Sequence, residues 1–585
     1  MTTMRWFGGQ VGSGHDDPAV PQGCRMITAG RAPLWSVGQW TPAEIRAAAT
    51  PRRRVTVFGP CAVTEHELRR LAADGVTDSV LTAFAGSYTV VESTTNSTVV
   101  FTDPGHAQPI YTATSADGVV WGSSALALAA LTGATPDTAW LASMLLAPQH
   151  PESLAGRSAF TGVTAIPPGS RLILVGGARP QVRAAWQPEP AKTDMTEGAT
   201  RLRAALAAAV AVRISSSQVP SADCSGGLDS TTLALLSAAQ LGDGRSVHAV
   251  TVHPAGTTSG GDMDYATMAA RTRPELRHLL CPLDSCHLPY SRMTELTPAT
   301  DEPAPTTVTI ARAVAEFDLL RQVGSDCHLT GDGGDTLLGG HPAHLADLVR
   351  VRRVGLFCRH ATGWARLHRT PVWPLVAEAL RHQRRPRSQP PPWSTPLARQ
   401  LVTQTTTTAV PAQGQVELGT LKTVAAIQTI GRTARSDLQV AEHYGLRVHN
   451  PFTDPQVISA AVAVPTWLRG SPYRYKPLLT TAMADLLPKP IATRRTKGDF
   501  TPDHYLGLRA NSDVLRHLAD GRLAERGLVD PDRLRRLLDQ AALGLPVTFS
   551  AFEPVLAAEI WLRAIETTPA TARWQPNTVM RRTAL

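Results

Sequence analysis

The string Ser225-Gly226-Gly227-Leu228-Asp229-Ser230, running straight into a helical stretch from Thr231 to Leu241, constrains this 585-residue chain more than any other segment. Two glycines let a backbone wrap around an anion, Ser225 and Ser230 offer hydroxyls, and a helix start supplies unpaired N–H groups with partial positive charge. Asp229 would repel a phosphate directly, so at that place it makes sense as a Mg²⁺ ligand beside a polyphosphate. The flanking pattern fits an α/β fold. From about Asp194 an Ala/Leu-rich helix (Glu197 to Val212) is followed by short apolar runs alternating with helical ones, which predicts a parallel sheet.

A second string, His328-Leu329-Thr330-Gly331-Asp332-Gly333-Gly334-Asp335, follows Asp326 and an apolar helix from Ile310 to Val323. Its two carboxylates, Asp332 and Asp335, stand three residues apart in a glycine-rich turn and can converge on one metal or one substrate. At the end of a parallel strand such a turn lines the ligand crevice.

The first ~185 residues have a different texture, typical of a separate domain. β-prone runs recur at Arg53–Phe58, Gly86–Glu92, Ser97–Thr102, Pro109–Thr114, Gly118–Gly122 and Arg171–Val175, with helical stretches at Glu65–Ala73 and Ser124–Leu131. Gln187–Thr193 reads as a linker, so the predicted domains are 1–190 and 194–585.

Composition excludes several classes. Lys plus Arg is 57 against 48 acidic residues, a net +9. That excess is not gathered into an aromatic-interleaved patch, so it does not argue for nucleic-acid binding. The basic, Pro-rich run Arg381–Trp393 reads as a solvated loop. Seven scattered cysteines with no CxxC pair exclude a disulfide scaffold or zinc ribbon. There is neither a signal-peptide pattern nor an apolar run of ~18 residues, which predicts a cytoplasmic protein with no membrane association. Only five of the basic residues are lysine (Lys192, Lys422, Lys476, Lys489 and Lys497), and three of these fall in one C-terminal stretch.

SGGLDS and GDGGD resemble the ATP-pyrophosphatase loops of the asparagine synthetase superfamily. The likeness continues through Gly445–Asp454 (GLRVHNPFTD), Tyr475–Leu479 (YKPLL) and Arg494–Phe500 (RRTKGDF). The first domain resembles that family's class II glutamine-amidotransferase domain, which implies an Ntn-type αββα fold. Gly86–Val90 and Trp121–Ser124 match its central strands. Residues 2 and 3 are threonine where the family's glutaminase needs a cysteine, so glutamine hydrolysis is not expected. Within the family the chain is similar to the macrolactam synthetases that close lasso peptides, through GDGGDTLLGG, Asp223 and Asp301-Glu302-Pro303. A β-lactam synthetase, expected to carry tyrosine where Asp332 stands, is the alternative.

The resemblance implies ATP and Mg²⁺ as cofactors, and adenylylation of an Asp or Glu side chain of a precursor core peptide. A leader-binding recognition protein and a leader peptidase are the implied partners. Asp229 and Asp335 would hold the metal. Ser225, Gly226, Gly227 and Ser230 would cradle pyrophosphate, with Cys224, Val252, Thr330 and Gly331 along the nucleotide. Lys497 would stabilise the α-phosphate and the oxyanion. Asp332 would either accept the amine's proton or shape the turn. Glu302, with Asp301, would either hold the peptide's amino end or cap a helix, and Lys476 stands evenly between a functional and a helix-facing role.

Overall fold

A computed structural model describes residues 4–12, 19–148, 151–242, 244–257, 259–381, 390–405, 416–494, 498 and 500–575. The first unit contains, in chain order, β1 (Trp6–Gly12), β2 (Arg25–Thr28), β3 (Leu34–Val37), β4 (Ile45–Ala49), β5 (Arg54–Phe58), β6 (Thr89–Ser93), β7 (Ser97–Phe101), β8 (Ile110–Ser115), β9 (Gly118–Gly122), β10 (Val163–Ile166), β11 (Ser170–Val175) and β12 (Gln181–Ala184). Among the described residues these form two antiparallel six-stranded sheets, ordered β10-β8-β9-β1-β3-β2 and β12-β11-β7-β6-β5-β4.

Alternating inward side chains of the two sheets fill the space between them. Phe7, Leu34, Ile110 and Trp121 from the first meet Phe58, Val91, Val100 and Leu172 from the second. Phe7 stacks on Phe58 with ring centroids 3.9 Å apart. The helix Glu65–Asp74, closed at its start by a Thr64/Glu67 capping box, covers the outer face of the second sheet. The helices Ala125–Thr132 and Thr138–Leu146 cover the first. The layering is the αββα arrangement expected of this unit.

The second unit carries a parallel sheet of β13 (Pro220–Asp223), β14 (Val247–Pro254), β15 (Leu276–Leu283), β16 (Cys327–Leu329) and β17 (Val448–His449), ordered β15-β14-β13-β16-β17. The chain winds outward from β13 through β14 to β15, then returns to build β16 and β17 on the other side. That reversal leaves a crevice above the carboxyl ends of β13 and β16, where both glycine-rich loops emerge.

The two units are joined by buried polar contacts and by a shared core. Arg213, at the end of the helix Met195–Ile214, bonds both Asp454 oxygens at 2.6 and 2.8 Å and donates to Ser87 of the first unit at 3.1 Å. Trp6, Trp35 and Trp140 of the first unit share one apolar cluster with Leu534, Phe552 and Trp561. Near residue 574 the chain returns to the first unit: Trp574 pairs with Pro21, and its indole donates to the Leu131 carbonyl. Most of the basic run after Arg381 lies outside the described residues. Among the described residues no helix is long and apolar enough to cross a membrane.

Candidate active site in the crevice of the parallel sheet

The string SGGLDS leaves β13 and enters the helix Leu228–Gln240, which starts earlier than the predicted Thr231 because Gly227 itself is the N-cap. Gly227 supplies no side chain to cap the first turn, so its N–H groups stay available to an anion. Ser225 and Ser230 hydroxyls lie 2.9 Å apart and close the loop. Gly226 has φ +72°, and a Cβ there would come 2.7 Å from the Asp262 carbonyl oxygen. The turn therefore needs glycine.

The second loop leaves β16 and packs directly on the first. A Cβ on Gly334 would fall within the Asp229 carboxylate. Gly334→Ala is expected to displace that carboxylate and weaken nucleotide binding at least ~10-fold with the fold intact. Titration of nucleotide onto the folded variant checks this, and unchanged affinity would refute the close packing of the two loops.

Together the loops wall a cavity of about 470 Å³ lined by Ser225, Gly227, Asp229, Ser230, Val252, Thr330, Gly331, Asp332 and Asp335. Nine of the residues expected at the site thus meet in one place. Cys224 does not line the cavity: its thiol is buried beside the Ala266 carbonyl at 3.9 Å, and burial pushes it up to about 12. Glu302 also lies away from the cavity wall. It is 4% exposed, with Oε2 2.5 Å from Arg432 Nη1. Its neighbour Asp301 accepts hydrogen bonds from Ser124 Oγ, Leu126 N and Gln439 Nε2. Asp301 ties the two units together and Glu302 pairs within the second, and neither lines the cavity. Lys497 lies outside the described residues. On either side of it in sequence, Arg494 and the Gly498 N–H both bond Asp262, and Arg494 also donates to the Gly226 carbonyl at 3.0 Å.

Lys476 turns out to be central. Its side chain is fully buried, its backbone takes φ +43° at the start of the helix Pro477–Ala482, and its ammonium sits between two carboxylates. It bonds Asp229 Oδ2 and lies 2.6 Å from Asp335 Oδ1. Tyr475 donates its hydroxyl to the same Asp335 oxygen at 2.5 Å. The carboxylates expected to share a metal therefore converge on one cation, with hard oxygen donors at hand.

At the other end of the cavity, sequence reasoning singled out Asp223 but not Glu316 or Arg312, which line the wall beside it. His328 Nε2 lies 3.1 Å from Asp223 Oδ1 and 3.9 Å from Glu316 Oε1, while its Nδ1 meets the Ser221 hydroxyl at 2.9 Å. Burial would raise the Asp223 carboxyl, but hydrogen bonding and charge from His328 hold it below the usual range. Burial, then the Asp223 charge, push Glu316 up to about 8.

A glycine-cradled anion site, paired carboxylates and a parallel-sheet crevice suit a nucleotide-dependent enzyme. The asparagine synthase family model matches residues 201–563, well over half the chain, and the chain belongs to that family. No curated protein matches it in sequence. Among solved structures it is similar to an allosteric regulatory enzyme of purine biosynthesis (11% identity, covering 56% of this chain and 83% of that one, TM-score 0.21). It is also similar to glutamine phosphoribosylpyrophosphate amidotransferase from B. subtilis complexed with ADP and GMP (9% identity, 59% and 77%, TM-score 0.19).

Proposed function

We propose that the chain is a macrolactam synthetase: it activates an Asp or Glu side chain of a leader-cleaved precursor peptide and joins it to that peptide's own N-terminal amine, forming a lasso peptide. The observation that supports this reading is Asp332, an exposed carboxylate in the cavity wall, where a β-lactam synthetase is expected to carry tyrosine.

In the first step the peptide carboxylate oxygen attacks the α-phosphorus of ATP, the Pα–O–Pβ bond breaks, and pyrophosphate leaves. Ser225, Ser230 and the open helix start receive the departing charge. Asp229 and Asp335 fit a Mg²⁺ ion by donor type and convergence; bound there, it would neutralise triphosphate charge. Arg494 holds the glycine turn in shape. Lys497 is assigned the α-phosphate and the later oxyanion. In the second step the amine nitrogen attacks the acyl carbon, its proton passes to Asp332, and AMP departs as the C–O bond breaks. Enclosing one prefolded peptide makes the closure unimolecular, which supplies the effective concentration. A precursor peptide, a leader-binding protein, a leader peptidase and a cytoplasmic setting belong to this reading.

Mass spectrometry tests it. Incubation with ATP, Mg²⁺ and a candidate core peptide is expected to give a product lighter by one water, with one AMP formed. A peptide left unchanged while a small amino acid consumes ATP would replace this reading with the β-lactam one. Asp332→Asn is expected to slow ring closure about 10²–10⁴-fold while acyl-adenylate still forms. Equal loss of both steps would remove Asp332 from the proton transfer.

A further inference from the structure

After the second glycine-rich loop, three helices form a group of their own: His344–Arg350, Val354–His368 and Val372–Arg381. They close around Leu345, Leu348, Ala361, Trp364 and Ala379. The first is tied to the body of the unit, where Asp347 accepts from Leu418 N and Gly419 N at 2.7 and 2.8 Å. The second rests on the segment before Lys476, so closely that a Cβ on Gly363 would lie 2.6 Å from Pro472. The helices Val354–His368 and Val372–Arg381 thus make a firmly held outer layer.

That layer shows solvent two things at once. One is charge. Residues 350–369 contain six arginines (Arg350, Arg352, Arg353, Arg359, Arg366 and Arg369) and no acid, against a net +9 for all 585 residues. All six are exposed. The basic excess reads as dispersed along the sequence, and the fold gathers much of it here. Arg352 and Arg353 also stand at the start of a helix, the end whose dipole repels cations, so their placement works against local stability. The other is apolar surface. Trp373 is 75% exposed, and Val354, Leu367 and Leu380 are each more than half exposed. Trp373 and Leu380 stand two turns apart, on one side of their helix.

Like charges on one layer repel one another, and an anionic counter-surface removes that cost. A protein partner favours an apolar centre with charge at the rim. Here arginines and protruding apolar side chains are interleaved, the composition of helices that lie among lipid headgroups. We propose that this helix pair docks on an anionic membrane surface. The guanidinium groups meet lipid phosphates, and Trp373, Leu380, Val354 and Leu367 enter the boundary between headgroups and acyl chains. The expectation of no membrane association rests on the lack of a signal peptide and of a spanning run. That lack bears on crossing a bilayer and not on lying against one.

Co-sedimentation of the full-length protein with vesicles tests this without nucleotide or peptide, so the outcome is independent of the proposed reaction. Wild type is expected to bind vesicles of phosphatidylcholine and phosphatidylglycerol in equal parts, and to leave them at high salt. Pure phosphatidylcholine vesicles should bind at least ~10-fold more weakly. Arg352→Glu/Arg366→Glu/Arg369→Glu should weaken binding to the anionic vesicles at least ~100-fold, since each charge near such a surface counts about fivefold. Trp373→Ala keeps the charge and should weaken binding about 10-fold. Arg52→Glu/Arg69→Glu/Arg70→Glu makes the same charge change on exposed residues of the first unit. It should bind within about threefold of wild type. Equal loss in the two triple variants would reduce the effect to net charge and overturn the docking face. Failure of wild type to bind the anionic vesicles would overturn it without any variant having to fold. Binding of polyglutamate but not of vesicles would give the surface to an acidic protein and overturn the lipid assignment.

Discussion

Lys476→Met is expected to lower the thermal midpoint of the protein and to make that midpoint rise more steeply with magnesium. The wild-type ammonium is fully buried between Asp229, which is 14% exposed at its side chain, and Asp335, which is 54% exposed. Removing it takes away the ammonium that bridges two facing carboxylates. Breaking a fully buried ion pair costs about 3–5 kcal/mol, and the exposure of Asp335 brings the expected loss here to about 2–3 kcal/mol. Magnesium in the millimolar range should then restore much of the midpoint, because the emptied place is lined by hard oxygen donors. Turnover should stay about 10²–10³-fold down even with the metal restored, since the ammonium that fixes both carboxylates of the cavity wall is gone. A variant midpoint that does not move with magnesium would show that these carboxylates do not form a cation site.

Arg213→Met is expected to have the largest effect on stability alone. Arg213 is 1% and Asp454 0% exposed at their side chains, and the guanidinium bonds both carboxylate oxygens and Ser87 across the junction of the units. Its loss strands a buried carboxylate, at a cost of about 3–5 kcal/mol. Adding Asp454→Leu should recover a large part of that, because replacing both partners by apolar groups removes the stranded charge. Urea unfolding of the two single variants and the double variant measures the coupling. A loss under about 1 kcal/mol in the single variant would mean that water reaches the pair.

Both glycine-rich loops were legible because their function depends on contiguous residues. Gly226 and Gly334 sit where backbone or carboxylate atoms leave no room for a side chain, so the requirement shows as a local string. Lys476 was not legible in that way. Its partner Asp229 stands 247 residues away, and no periodicity distinguishes a lysine facing solvent from one facing two distant acids. Glu316 was hidden for a related reason. It lies on the helix Ile310–Gln322, where its spacing marks a polar face but not what that face meets. Glu302 misled in the opposite direction, because Asp-Glu-Pro has the form of a helix cap or an exposed acidic loop. Its partner Arg432 comes from the helix Leu418–His443.

Among the strands, β1 escaped the sequence reading although it lies inside its sheet. Its segment WFGGQVG is poor in β-branched residues, and glycine weakens strand propensity. Close packing explains the choice: a Cβ on Gly8 would strike the Trp121 carbonyl oxygen, and one on Gly9 would come 2.8 Å from the Trp121 indole nitrogen. Runs such as Ser97–Phe101 and Gly118–Gly122 were legible because Val and Thr mark them directly.

The apolar cluster that joins Trp6, Trp35 and Trp140 to Leu534, Phe552 and Trp561 has a consequence for biosynthesis. A ribosome adds about 5–20 residues per second, so roughly 20–80 s separate the emergence of the helices on the first sheet from that of Trp561. During that interval the inter-sheet core can close, but the outer face of those helices waits for chain not yet made. A growing polypeptide with so long an exposed apolar face is a natural client for a chaperone, and the early half of the molecule reaches its final packing only when the late half arrives.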